Sequence, residues 1–118
     1  MTDARATIDV ADLTERVRAI VAAHPAADRC AEKKMFGSDA VLVSGNLAVG
    51  PSARGLLVRV DRDEHEELVA THPEARTMEM RGRDMPGWLH VDPGGLDDAA
   101  LRAWVERGLD YAAALPPK

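Results

Sequence analysis

Val41-Leu42-Val43-Ser44-Gly45-Asn46-Leu47-Ala48-Val49-Gly50 decides the fold. Two short aliphatic runs flank Ser-Gly-Asn, and Gly-Asn is favoured where a tight hairpin needs positive φ. The stretch reads as a β-hairpin, so the sheet begins antiparallel. Pro51, Ser52 and Gly55 then form a loop. Beyond it Leu56, Val58 and Val60 share one face and Leu57 and Arg59 the other, a half-buried strand or strand pair.

Upstream, residues 29–36 read as a strand, although Glu32, Lys33 and Lys34 break any clean alternation. Before it, Val10, Leu13, Val17, Ile20 and Val21 recur at helical spacing, with Asp9 as N-cap and Pro25 past the end, giving a helix over 10–23. Downstream, Asp61 and Glu64 stand at capping-box spacing, and the acids that follow complement a helix N-terminus; Pro73 ends this second helix. Residues 77–80 and 88–91 supply two strands around a turn over 81–87. Asp97 or Asp98 caps a third helix, whose stripe is Leu101, Trp104, Val105, Leu109 and Ala112, and Pro116-Pro117 ends it. The order is α-β3-α-β2-α. Hairpins without strict strand-helix alternation predict an α+β fold of two layers, a mostly antiparallel sheet with helices packed on it.

The 118 residues suit one domain, spanning 1–118 with its core over about 10–115, since a chain of this size buries roughly two-thirds of its unfolded surface. Aromatic residues make up only 3%, so Leu, Val, Ala and five Met supply the core volume. The net charge of −5 disfavours direct nucleic-acid binding, where Lys and Arg neutralise phosphates. Charge is uneven: residues 29–59 carry five basic and two acidic side chains, residues 60–72 one basic and five acidic. Such polarity suits a protein partner better than a nucleic acid, and ordinary solvated faces also show it. A single cysteine, Cys30, leaves no internal disulfide and no cysteine-cluster zinc site, and no apolar stretch reaches the roughly 20 residues of a membrane span. A reducing, cytoplasmic setting is expected, with no membrane partner.

Lys33-Lys34-Met35-Phe36-Gly37, the hairpin around Gly45-Asn46, Gly55-Leu56-Leu57-Val58-Arg59, Gly82-Arg83-x-Met85-x-Gly87-Trp88 and Leu101-x-x-Trp104-Val105 together resemble the TfoX N-terminal domain family over residues 28–117. The resemblance implies a two-layer α+β fold similar to secretion chaperones. Competence regulators of the TfoX/Sxy type are similar in this domain and act in transcriptional control of DNA uptake with the cyclic-AMP receptor protein. They also carry a second, C-terminal domain, for which this chain, ending at Lys118, shows no counterpart, so a single-domain relative is expected. Ser38 stands where a second glycine is common.

The candidate interaction surface comprises Lys33, Lys34, Met35, Phe36, Gly37, Arg59, Gly82, Arg83, Met85, Gly87 and Trp88. Each has two readings. Arg83 presents a guanidinium to an acidic partner or phosphate, or it pairs with Asp84 or Glu79. Lys33 and Lys34 form a basic patch with Arg29 and Arg59, or a solvated strand face. Phe36 and Trp88 line a pocket or anchor the core; the methionines make an adaptable surface or fill space. Cys30 is a buried thiol unless its basic neighbours lower its pKa. The four histidines are scattered, the acidic run lacks the glycine of a calcium loop, and no catalytic, cofactor or metal signature emerges. The expectation is a non-enzymatic regulatory or protein-interaction module without cofactor, linked to transcriptional regulation through a protein partner. The alternative is a small-molecule binder or cryptic enzyme using a cleft near the two glycine-bounded turns; direct DNA binding ranks third. Analogy with secretion chaperones brings a homodimer into consideration.

Overall fold

The computed structural model describes residues 8–35 and 38–118. Asp9 accepts the Asp12 N–H at 3.0 Å and opens α1 (Val10–Ala22), which buries Leu13 and Val17. Strands β1 (Cys30–Met35), β2 (Ser38–Val43), β3 (Asn46–Ser52) and β4 (Gly55–Arg59) follow, then α2 (His65–Thr71), β5 (Ala75–Met80), β6 (Arg83–Val91) and α3 (Asp98–Ala114). The strands form one open sheet in the order β1-β2-β3-β4-β6-β5, antiparallel at every step. The fold is α+β, three helices packed on a six-stranded antiparallel sheet.

Four strands precede α2, where the order α-β3-α-β2-α allowed three. The 29–36 segment forms a strand of its own, β1, in addition to both strands of the hairpin. β1 is an edge strand with one neighbour, and its central side chains are exposed, so no burial enforces alternation. Charges along an edge discourage further pairing. Three other local expectations shift. The β2–β3 turn is made by Ser44 (φ 50) and Gly45 (φ 85), not Gly45 and Asn46. Asn46 opens β3 instead, buried, with Nδ2 donating to the Pro116 carbonyl at 3.0 Å; Lys118 N–H donates to the Ser44 carbonyl at 2.9 Å. Asp61 accepts from Asp63 N–H at 2.8 Å and caps a 3-10 turn over Arg62–Glu64 rather than closing a capping box, so α2 starts only at His65.

The third shift concerns residues 81–87, where the tight turn is only Arg81 (φ 55) and Gly82 (φ 78). Arg83 already pairs with Met80. Further along, Thr77 pairs with Leu89 but Met78 with Met85, which leaves Pro86, Gly87 and Trp88 as a bulge in β6. Pro86 cannot donate to a ladder, and Gly87 (φ 88) takes a backbone conformation that other residues avoid.

On one face of the sheet, Val41, Val43, Val49, Leu56, Val58, Leu89 and Val91 pack with Leu13 and Val17 of α1, Leu68 of α2, and Leu101, Trp104, Val105 and Leu109 of α3. α3 comes closest at Gly108, beside Ala48 where β3 bulges. On the opposite face Ala40, Leu47, Leu57 and Met78 form a second cluster, with Met35, Leu42, Met80, Met85 and Trp88 against it. All three helices pack on the first face, so among the described residues no helix covers the second. No described helix is long and apolar enough to cross a membrane.

Candidate functional site

The helix-free face is built by strand alternation. On β1, Cys30 packs into the helix-side core and Glu32 pairs with Arg18 of α1, whereas Met35 joins the second cluster; Lys33, two residues before Met35, shares its face. Arg83 stands in the same relation to Met85 on β6. Arg59 lies with its guanidinium carbon 5.0 Å from the Trp88 ring centroid and 5.6 Å from that of Tyr111, a cation held over two aromatic faces. Lys33, Met35, Arg59, Arg83, Met85 and Trp88 therefore leave the sheet from one side, and Arg59, at the end of β4, reaches round from Trp88 to Tyr111 of α3.

Other candidates do not join them. Lys34 turns to Asp39, Nζ to Oδ1 at 3.2 Å. Gly87 is buried, its N–H donating to His65 Nδ1 at 3.0 Å. Gly82 sits in the exposed β5–β6 turn, and Phe36 and Gly37 lie outside the described residues. No basic patch of Lys33, Lys34, Arg29 and Arg59 assembles. Arg29 donates to Ser44 Oγ at 2.9 Å and to the Ala113 carbonyl at 3.2 Å, near the C-terminus of α3 where the helix dipole favours a cation. Arg83 is exposed, and among the described residues no ion pair joins it to Asp84 or Glu79.

The two glycine-bounded runs do not frame a common cleft. β1 and β2 meet at Met35 and Ser38, at the end of the sheet where β3 and β4 also turn over; the β5–β6 turn lies at the other end and towards the opposite edge. The expected cleft is replaced by a hollow of about 430 Å³ on the helix-free face, reaching from the β3–β4 turn to the β5–β6 turn. Leu57, Met78 and Met80 give it apolar walls, Arg54 and Arg81 stand at its two ends, and His90 lines it. Leu57, His90 and Arg76 are register partners across β4, β6 and β5. Arg76 reaches across β6 and donates Nη2 to the Arg54 carbonyl at 2.7 Å. A second depression, towards the β5 edge, shares Arg54, Glu79 and His90 and adds Arg76 and Asp84.

His90 is 7% exposed and has no hydrogen-bond partner among the described residues, yet no buried ring nitrogen is left sealed, so its nitrogens reach the hollow. Burial first, then the charges of Arg76 and Arg54, lower its pKa. Sequence reading placed it only on a strand. Its significance depends on cross-strand register, which joins Leu57, His90 and Arg76 from distant positions.

The remaining polar groups do structural work. His65 accepts from Gly87 N–H through Nδ1, so its Nε2 carries the proton and donates to Thr77 Oγ1 at 2.9 Å, fixing the β6 bulge under α2. His24 accepts from Ala26 N–H and joins Asp110 at 2.8 Å. The Cys30 thiol donates to the Ala26 carbonyl at 3.3 Å, and burial raises its pKa despite the opposing charge of Arg29, so it is a thiol at neutral pH. Among the described residues no three His, Cys, Asp or Glu side chains cluster to hold a metal.

No curated protein and no solved structure matches the chain. The family profile of the TfoX N-terminal domain matches residues 23–112, three-quarters of the sequence, covering every strand together with α2 and most of α3. The chain belongs to the TfoX N-terminal domain family.

Proposed function

We propose that the protein is a non-enzymatic regulatory module that docks a protein partner on the helix-free face of its sheet. The observation that supports this reading is the group of half-exposed Leu42, Met80, Met85 and Trp88, lying over buried Leu47 and Leu57 on a face without a covering helix among the described residues. Contiguous apolar surface rimmed by polar groups is characteristic of interaction sites. The rim here is basic, with Lys33, Arg59, Arg81 and Arg83, while the acidic run of residues 61–67 belongs to the α2 side. The partner is accordingly an apolar patch bordered by carboxylates, and methionine thioethers adapt to such a surface. By likeness to the competence regulators, the module acts in transcriptional regulation through that partner, in the cytoplasm and without contacting DNA.

The test is crosslinking and affinity recovery of the tagged protein from its own host, using wild type, Arg83→Ala, Met85→Glu and, on the exposed side of α3, Arg102→Ala. Recovery of one partner by wild type and Arg102→Ala, with loss in Met85→Glu and weakening in Arg83→Ala, supports the reading. Equal recovery by all four, or none by any, sinks it. A dimer seen by light scattering and lost in Met85→Glu would make a second copy of the chain the occupant.

A further inference from the structure

The hollow around His90 lies within the helix-free face but has a chemistry that protein docking does not require. Its floor is crossed by the Leu57–His90 pair, with Arg76 next in register beside it, and its walls include the side chains of Met78 and Met80. Arg54, on the exposed β3–β4 turn, and Arg81, at the β5–β6 turn, face each other across it. Ser52 Oγ donates to the Gly55 carbonyl at 2.9 Å and accepts from Arg54 N–H at 3.2 Å, while Arg76 holds the Arg54 carbonyl. The turn carrying Arg54 is thus fixed from two sides. His90 is more than nine-tenths buried, has no hydrogen-bond partner among the described residues, and opens its ring nitrogens to the cavity. A group bound in the hollow would be its partner.

The charges around His90 indicate what that partner is. The charges that act on it are Arg76 and Arg54, both positive, while Glu79 and Asp84 alternate with Met78, Met80 and Met85 and so point to the other side of the sheet. The group that meets His90 is therefore an anion, and a carboxylate carried on an apolar body matches the adjoining walls, whereas inorganic phosphate leaves Leu57, Met78 and Met80 without a partner. The apolar walls account for the rest of the ligand, and about 430 Å³ is within the size of small-molecule sites. We infer that the hollow binds a small monocarboxylate with an apolar body, its carboxylate held by Arg54 and His90 near the β3–β4 turn and its body by Leu57, Met78 and Met80, which lead towards Arg81 at the far end. Arg76 positions the turn and touches no ligand. The site shares Leu57 and Met80 with the docking face, but its test needs no partner, so its failure and that of docking are separately read.

Titration of the full chain with sodium hexanoate, acetate and inorganic phosphate, at constant ionic strength and followed by 1H–15N chemical shifts, decides the matter. Hexanoate should move the amides of residues 52–57, 78–81 and 90 saturably, and acetate, lacking the apolar body, should bind about tenfold more weakly. The double variant Arg54→Ala, Arg81→Ala removes two exposed side chains and leaves the core alone; its spectrum should otherwise match wild type while hexanoate affinity falls at least about tenfold. A His90→Gln variant, which keeps a donor and an acceptor, should retain part of the binding. The proposal is overturned if hexanoate causes no saturable shifts, if the double variant binds it as well as wild type, or if phosphate binds more tightly than hexanoate.

Discussion

A β-carbon at position 108 would stand 2.7 Å from the Ala48 carbonyl oxygen and from Val49 Cγ1, closer than real contacts allow, so glycine is what lets α3 lie on the β3 bulge. Gly108→Ala gains helix propensity but forces helix and sheet apart. Net destabilisation of about 1–3 kcal/mol is expected in urea unfolding, and a stabilised variant would refute the close approach. Cys30 makes a second prediction at this scale. With its thiol pKa raised by burial, alkylation by iodoacetamide near neutral pH should run at least about tenfold slower than that of a free thiol. His90 makes a third. Its pKa is held below the ordinary 6.5, so the folded state takes up this proton less readily than the unfolded chain. Its contribution to stability is therefore complete above about 6.5 and declines as pH falls from there towards the folded-state value. The charges facing it are Arg76 and Arg54; Arg81, Glu79 and Asp84 lie further along the adjoining depressions. Stability should drop between about pH 7 and pH 5 in wild type and drop less in His90→Gln; equal slopes would remove His90 from the account.

Among the elements, the β5–β6 hairpin depends most on contacts remote in sequence. Its three-residue bulge is held by Val60 N–H donating to the Gly87 carbonyl at 2.9 Å and by His65 accepting from Gly87 N–H. His65→Ala leaves the Gly87 donor without its acceptor beneath α2, a loss of about 1–3 kcal/mol, and should speed hydrogen exchange at Gly87 more than at Val58. This is also where sequence reading fell short. Gly82 and Gly87 both signal a break in extended structure, but spacing alone does not separate a tight turn from a bulge further along the strand. The β2–β3 hairpin was legible from its aliphatic runs, and only its turn moved by one residue, because the C-terminal tail draws Asn46 inward through Pro116. The capped helices α1 and α3 were legible as well. Asp9 and Asp97 each accept an N–H three residues on, as their position before an apolar stripe suggested. β1 was the weakest element to read, since an edge strand exposed on both sides carries no periodic signal. Arg18 ties it to α1 through Nε and Nη2 at 2.7 and 2.8 Å from the Glu32 carboxylate, whose pKa is lowered by that hydrogen bond.

At the scale of the molecule, the sheet separates two environments. One face is a closed core under three helices; the other is apolar at its centre, basic at its rim and hollowed around His90. Six of the eleven residues singled out as a surface share that second face, because alternation fixes which side a strand residue takes once one neighbour is placed. The idea of a cleft between the two glycine runs could not survive the topology, since nothing local in either run says that the sheet carries them to opposite ends and edges. The claim that a protein partner occupies the helix-free face is tested most directly by hydroxyl-radical footprinting of the free protein and of the complex recovered from its host. Met80, Met85 and Trp88 are half-exposed and should be oxidised readily in the free protein, then protected in the complex, while the exposed side of α1 and α3 stays as reactive as before. Protection confined to the helices, with Met80, Met85 and Trp88 oxidised equally in both states, would contradict the account.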